Sequence, residues 1–165
     1  MNPDTKKKQQ KFSLNRKDTA LEELVKGTDK KILAVWAIDC SERVLPYFEA
    51  DYPDDHRPRN ALVALRVWLT NGIFHMADIR GASLASHAAA REIGEDNAAR
   101  SAARAAGQAV ATAHILTHSL AAAYYAQQAI WRAAQPEKAE AAVAKERDWQ
   151  YRHLLELREK LVSDK

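Results

Sequence analysis

Residues 82–134, ASLASHAAAREIGEDNAARSAARAAGQAVATAHILTHSLAAAYYAQQAIWRAA, decide the fold. Twenty-one of these 53 residues are Ala and none is Pro. Ala is the strongest helix former and gives up no side-chain entropy on packing. The stretch therefore reads as two or three helices that can approach one another closely. Gly107 stands inside it, where it costs about 1 kcal/mol against Ala. A neighbouring helix is expected to cross close over that position. The stretch also carries His87, Arg91, Arg100, Arg104, Gln108, Thr112, His114 and His118.

Outward from there, Gly94 breaks a helix Met76–Glu92 whose inner residues are predicted as Ile79, Ala82, Leu84, His87 and Ala88. Asp96 or Asn97 caps the next helix. From Ala98 the helical pattern runs to about Ala134. A break is expected near Thr112–Thr117, because a β-branched cluster with two His is weak helix. The alternative is one long helix. Gln135-Pro136 ends the region, and a charge-laced helix Glu137–Val162 follows with Ala142, Trp149, His153, Leu154 and Leu157 inward. Its Glu/Lys/Arg pairs read mostly as a solvated face.

Upstream, Asp18 caps a helix Thr19–Lys26 that Gly27 ends. Asp29 caps the next, where Ile32, Leu33, Trp36 and Cys40 repeat at helical spacing. Pro46 either kinks that helix or starts another. Asp51–Arg59 is a turn. A helix Pro58–Thr70 then buries Ala61, Leu62, Leu65, Trp68 and Leu69, and Asn71-Gly72 closes it. The whole is an all-α, single-domain bundle of stacked antiparallel helices over 18–165, behind a disordered basic tail, 1–17.

Composition narrows the chemistry. The formal charge of +3 divides unevenly: residues 1–17 carry six basic groups and one acid, whereas the other 148 residues carry 19 basic and 21 acidic groups. The body is thus slightly acidic, and a nucleic-acid partner is disfavoured. One cysteine, Cys40, excludes an internal disulfide and suits a reducing cytoplasm. No apolar run spans a bilayer. No Gly-rich phosphate loop or Gly-x-Ser-x-Gly elbow is present, and no cofactor is implied.

Three polar groupings remain. His114 and His118, four apart, share a helical face as metal ligands do, but Ile115 stands where the metalloprotease pattern has Glu. They are weak metal candidates, and the plainer reading is hydrogen bonding at a helix interface. Asp39 and Arg43 are spaced for an i, i+4 ion pair. Arg91, Arg100 and Arg104 are expected to cover the Asp51–Asp55 turn as a charge network, or else to form a basic groove for phosphate. No catalytic residue is assigned.

Four stretches in order, Trp36–Glu49, Tyr52–Arg59, His87–Arg91 and Ala103–His114 continuing to Tyr125, resemble the bacterial putative immunity protein family, the immunity-five-like group. The resemblance covers roughly Lys30 to Ala134 and leaves out the 137–162 helix. It implies an all-α protein of toxin–immunity systems that binds and neutralises a cognate toxin without catalysis, and a cytoplasmic location is expected by elimination from the composition. It also implies that Asp39, Arg43, Asp54, Arg57, His87, Arg91, Arg104, Gln108, His114 and His118 form a structural or binding polar network. The competing readings are a metal-dependent hydrolase centred on His87, His114 and His118, and a nucleic-acid accessory protein using Arg91, Arg100 and Arg104.

Overall fold

The computed structural model describes residues 11–14 and 18–163. Among them the chain forms eight α-helices and no strand. These are α1 (Thr19–Lys26), α2 (Lys30–Glu42), α3 (Leu45–Asp51), α4 (Arg57–Asn71), α5 (Met76–Glu92), α6 (Ala98–Ala111), α7 (His118–Ala133) and α8 (Ala139–Ser163). The all-α expectation holds. Most of the stretch read as a basic tail lies outside the described residues, although Phe12 rests against Trp131 with ring centroids 5.8 Å apart.

Local chemistry sets the helix ends. The carboxylates of Asp18 and Asp29 accept from the Leu21 and Lys31 amides, and Asn97, not Asp96, caps α6 by accepting from the Arg100 amide. Pro46 opens α3 instead of kinking α2. α4 stops at Gly72, whose left-handed φ of 68° suits a residue without Cβ. The long Ala-rich run breaks where expected, between Ala111 and His118. The last helix starts later than the sequence suggests, because Pro136–Lys138 form a 3-10 turn before it.

α6 is the central element. It packs on α2, α3, α4, α5 and α7, and nine of its 14 residues are buried, five of them Ala besides Ala99. Trp36, Leu33, Leu45, Phe48, Leu62, Leu65 and Leu154 supply the bulk around this slender axis. Buried polar bonds set the register of the small-residue interfaces. Between α5 and α6, Ser83 Oγ donates to the Gly107 carbonyl (2.8 Å) and Ser86 Oγ to the Ala103 carbonyl (2.7 Å). Between α6 and α7, Ser101 Oγ donates to Gln128 Oε1 (3.0 Å). Gln150 of α8 binds the Ala123 carbonyl and the Gln127 amide of α7, and its own carbonyl accepts from the Trp36 indole at 2.9 Å.

The serine pins turn α5 relative to the expected face. Ile79, Ser86, Ala89 and Ala90 are its buried residues, whereas Leu84, read as inward, is 52% exposed. They also bring α5 over Gly107. A Cβ there would stand 2.9 Å from His87 Nε2 and 3.0 Å from its Cδ2 and Cε1. The crossing expected from the mid-helix glycine is thus made by a histidine ring.

Gly107→Ala should therefore destabilise the fold by about 1–2 kcal/mol, because the clash outweighs the helix-propensity gain. In a His87→Ala background the same change should become stabilising. Chemical denaturation of the four-member cycle tests this, and additivity would show that the ring does not lie on Gly107.

Candidate functional site

The polar residues separate into three places. The first joins α2 to α8. Arg43 does not pair with Asp39, because the two side chains reach different positions on α8. Arg43 grips Glu146 in a bidentate pair, with Nη2 to Oε2 at 2.8 Å, and its guanidinium lies 3.9 Å from the Trp149 ring centroid. His153 stacks on the other side of that register, 4.7 Å from Trp149, and its Nε2–H donates to Asp39 Oδ2 at 2.7 Å. Glu146, Trp149, Gln150 and His153 thus form one face of α8. The Glu146 side chain is only 3% exposed, so the reading of α8 charges as solvated fails at this position. Cys40 is fully buried beside the array, and burial raises its thiol pKa well above the ordinary value, with Glu146 adding to the effect.

The second place is the Asp51–Asp55 turn. Arg91, Arg100 and Arg104 do not cover it. Arg57 secures it instead, binding Asp55 (Nη2–Oδ2 2.6 Å) and Glu92 at the end of α5 (Nη2–Oε2 2.6 Å). The Arg57 guanidinium holds the Asp55 and Glu92 carboxyls below their usual range. The Asp54 side chain is exposed and makes no hydrogen bond or ion pair among the described residues. Arg100 faces elsewhere: it pairs with Asp96 at 2.8 Å and donates to the Ala90 and Ile93 carbonyls, closing the C-terminus of α5.

The third place is the face where α5, α6 and α7 meet. Beyond its first residue, α6 leaves only Arg100, Arg104, Gln108 and Ala111 partly accessible, a single stripe. Along α5, Arg80, Leu84, His87 and Arg91 recur at 4-3-4 spacing on the side next to it. His118 at the start of α7 donates through Nδ1–H to Gln108 Oε1 at 2.7 Å. His114 lies in the turn before α7 and stacks on Phe74. The break therefore removes the common helical face on which a His114–His118 metal pair would depend. Among the described residues no group of three or more His, Cys, Asp or Glu is placed to hold a metal ion.

His87 is the most perturbed of these groups. Its Nδ1 is buried with no hydrogen-bond partner among the described residues. Burial pushes its pKa down to about 4, and the Arg104, Arg91 and His118 charges push the same way. His118 is also lowered, by burial and then by His114. Arg91 and Arg104 themselves have no hydrogen bond or ion pair among the described residues. The sequence missed Ser83, Ser86, Gln127, Gln128, Glu92, Glu146 and Gln150 as participants. The polar residues of α8 at three- and four-residue steps were the available signal for two of them.

These shifts give the protein a pH dependence of known sign. Neutral His87 is favoured in the fold, so the unfolded chain takes up its proton first as pH falls below 6.5. The stability contribution is lost progressively between about pH 6.5 and about pH 4, and levels off below that. A His87→Gln variant should lose less stability than the parent over this interval in urea titrations. In the first place described, Arg43→Ala should cost about 3 kcal/mol by leaving Glu146 buried and unpaired. Glu146→Gln should cost about 1 kcal/mol, because half-exposed Arg43 can turn to water.

Neither a curated protein nor a solved structure matches the chain. The family described as Imm-5 like putative immunity protein matches residues 23–157. That match runs from α1 through most of α8, well past the 30–134 core expected from the sequence. The Trp36, Asp39 and Arg43 contacts give the reason: α8 supplies the partners for the inner face of α2. The chain belongs to the Imm-5 like putative immunity protein family.

Proposed function

We propose that this chain is the immunity partner of a bacterial toxin, which it binds and neutralises without catalysing a reaction. The family match across α1 to α8 carries the reading. Its geometry is compatible with it. Asp39, Arg43, Arg57, Gln108 and His118 are engaged in contacts between helices or turns, as structural groups would be. A frame pinned in this way presents its surface in one arrangement, which limits the entropy lost when a partner docks. Among the described residues no helix is long and apolar enough to cross a membrane. In this reading the protein works in the cytoplasm, where the lone thiol Cys40 stays reduced. The polar network predicted from the sequence serves chiefly as architecture, and recognition falls to groups that architecture leaves unpaired.

Co-expression tests the proposal. The protein should restore growth of cells producing the toxin encoded beside it, and should co-purify with that toxin at a fixed stoichiometry. Growth inhibition that persists at full expression, with no complex recovered, would refute it.

A further inference from the structure

Among the described residues the arginines divide into those that hold a carboxylate and those, Arg80, Arg91, Arg104, Arg152 and Arg158, that hold none, and three of the latter lie on α5 and α6. Arg43, Arg57, Arg59 and Arg66 each hold a carboxylate, and Arg100 and Arg132 share Asp96. Arg91 and Arg104 hold none, yet both act on the same His87 ring from neighbouring helices. Of the carboxylates nearest them in the chain, Glu92 is held by Arg57 and Asp96 by Arg100 and Arg132, while Glu95 accepts from the Asn97 side-chain amide. Asp78 lies about 140° around α5 from Arg91 at 3.6 residues per turn. Among the described residues the face thus carries guanidiniums that no carboxylate binds, although Glu92 lies near enough to Arg91 to feel its charge. It also has an apolar border. Leu84 shares the α5 stripe with His87 and Arg91, while Phe74 and Ile115, exposed by 40% and 45%, flank His114. Large exposed apolar side chains beside unpaired guanidiniums are the composition of a recognition surface.

We propose that this face, which runs from Arg91 and Arg104 past Leu84 to Phe74 and Ile115 at the other end of α5, receives an acidic segment of the toxin that also carries apolar side chains. The proposal rests on the immunity reading above and assigns its contact surface. Charge complementarity selects the occupant. Carboxylates of a docking segment would take the free guanidinium forks, and its apolar side chains would cover Leu84 and Phe74. A phosphate backbone suits the face less well. It needs a longer track of cations, gains nothing from the apolar border, and meets a body whose charge beyond residue 17 is slightly negative. Arg104 rises from the most buried helix, so its position is set before binding.

The test uses the full chain and, as probe, the purified product of the toxin gene beside it. Arg91→Glu should weaken binding by about 100-fold and Arg104→Gln by about 10-fold, with association slowing as salt is raised. Arg152→Glu, an exposed change on α8, should leave affinity unaltered. Melting curves confirm that each variant is folded. Independently of the variants, amide exchange over residues 80–91 should slow in the complex. Unchanged affinity in both arginine variants, with no protection of 80–91, would overturn this surface and leave the immunity reading standing. Failure of the parent protein to bind the probe would remove both. Retention of a labelled 20-nucleotide duplex at 50 mM salt, lost in Arg91→Glu, would replace the protein occupant with nucleic acid and overturn the proposal.

Discussion

The close approach of α5 and α7 to α6 is the constraint from which the rest of the structure follows. α6 buries Ala, Ser and Gly along most of its circumference, so its neighbours come nearer than Leu or Phe would allow. Such surfaces interlock weakly through shape, because a methyl group can slide past another at little cost. Hydroxyl and amide side chains supply the missing register. Ser86, Ser101, Gln127, Gln128 and Gln150 each form a buried hydrogen bond between helices, and Ser83 a partly buried one. Leaving any one of those groups unpaired costs more than the bond contributes on balance, which is how a few polar atoms can hold one packing arrangement.

The heavier outer layer has a related design. Trp36, Arg43 and Asp39 repeat along α2 and meet the Gln150 carbonyl, Glu146 with Trp149, and His153 on α8. Charge is enclosed there only where it is paired and hydrogen-bonded. α8 is therefore a structural member of the fold, as the extent of the family match also implies. Against this background, the free guanidiniums of Arg91 and Arg104 are conspicuous. They lie on adjacent helices and hold no carboxylate among the described residues, which leaves them available to a partner in the surface proposed above.

Much of this was legible before the fold was known. Asp18, Asp29 and Gly72 marked helix ends through the hydrogen bonds and backbone angles their side chains permit. The β-branched residues of 112–117, with His114 among them and His118 just after, marked the break between α6 and α7, and Gly107 marked a crossing. Each is a local property, carried by a residue and its near neighbours in the chain. The errors were of another kind. Asp39 and Arg43 had the spacing of a pair, but each found a better partner on α8 more than 100 residues away. Arg57 took the role assigned to Arg91, Arg100 and Arg104, because it alone starts the helix beside both Asp55 and Glu92. Leu84 was read as inward because apolar spacing does not record how a helix is rotated when its neighbour offers carbonyls to its serines.

The sequence by itself determined that this protein is all helical, where most helices begin and end, and that some would pack with almost no distance between them. Those properties depend on backbone propensity and side-chain size, which act over a few residues. The tertiary structure alone decided which carboxylate each arginine holds, which ring covers Gly107, and which cations stay without a partner. Ion pairs and buried hydrogen bonds require positions within about 3 Å, and a chain of 165 residues sets such positions only once all its helices are packed together.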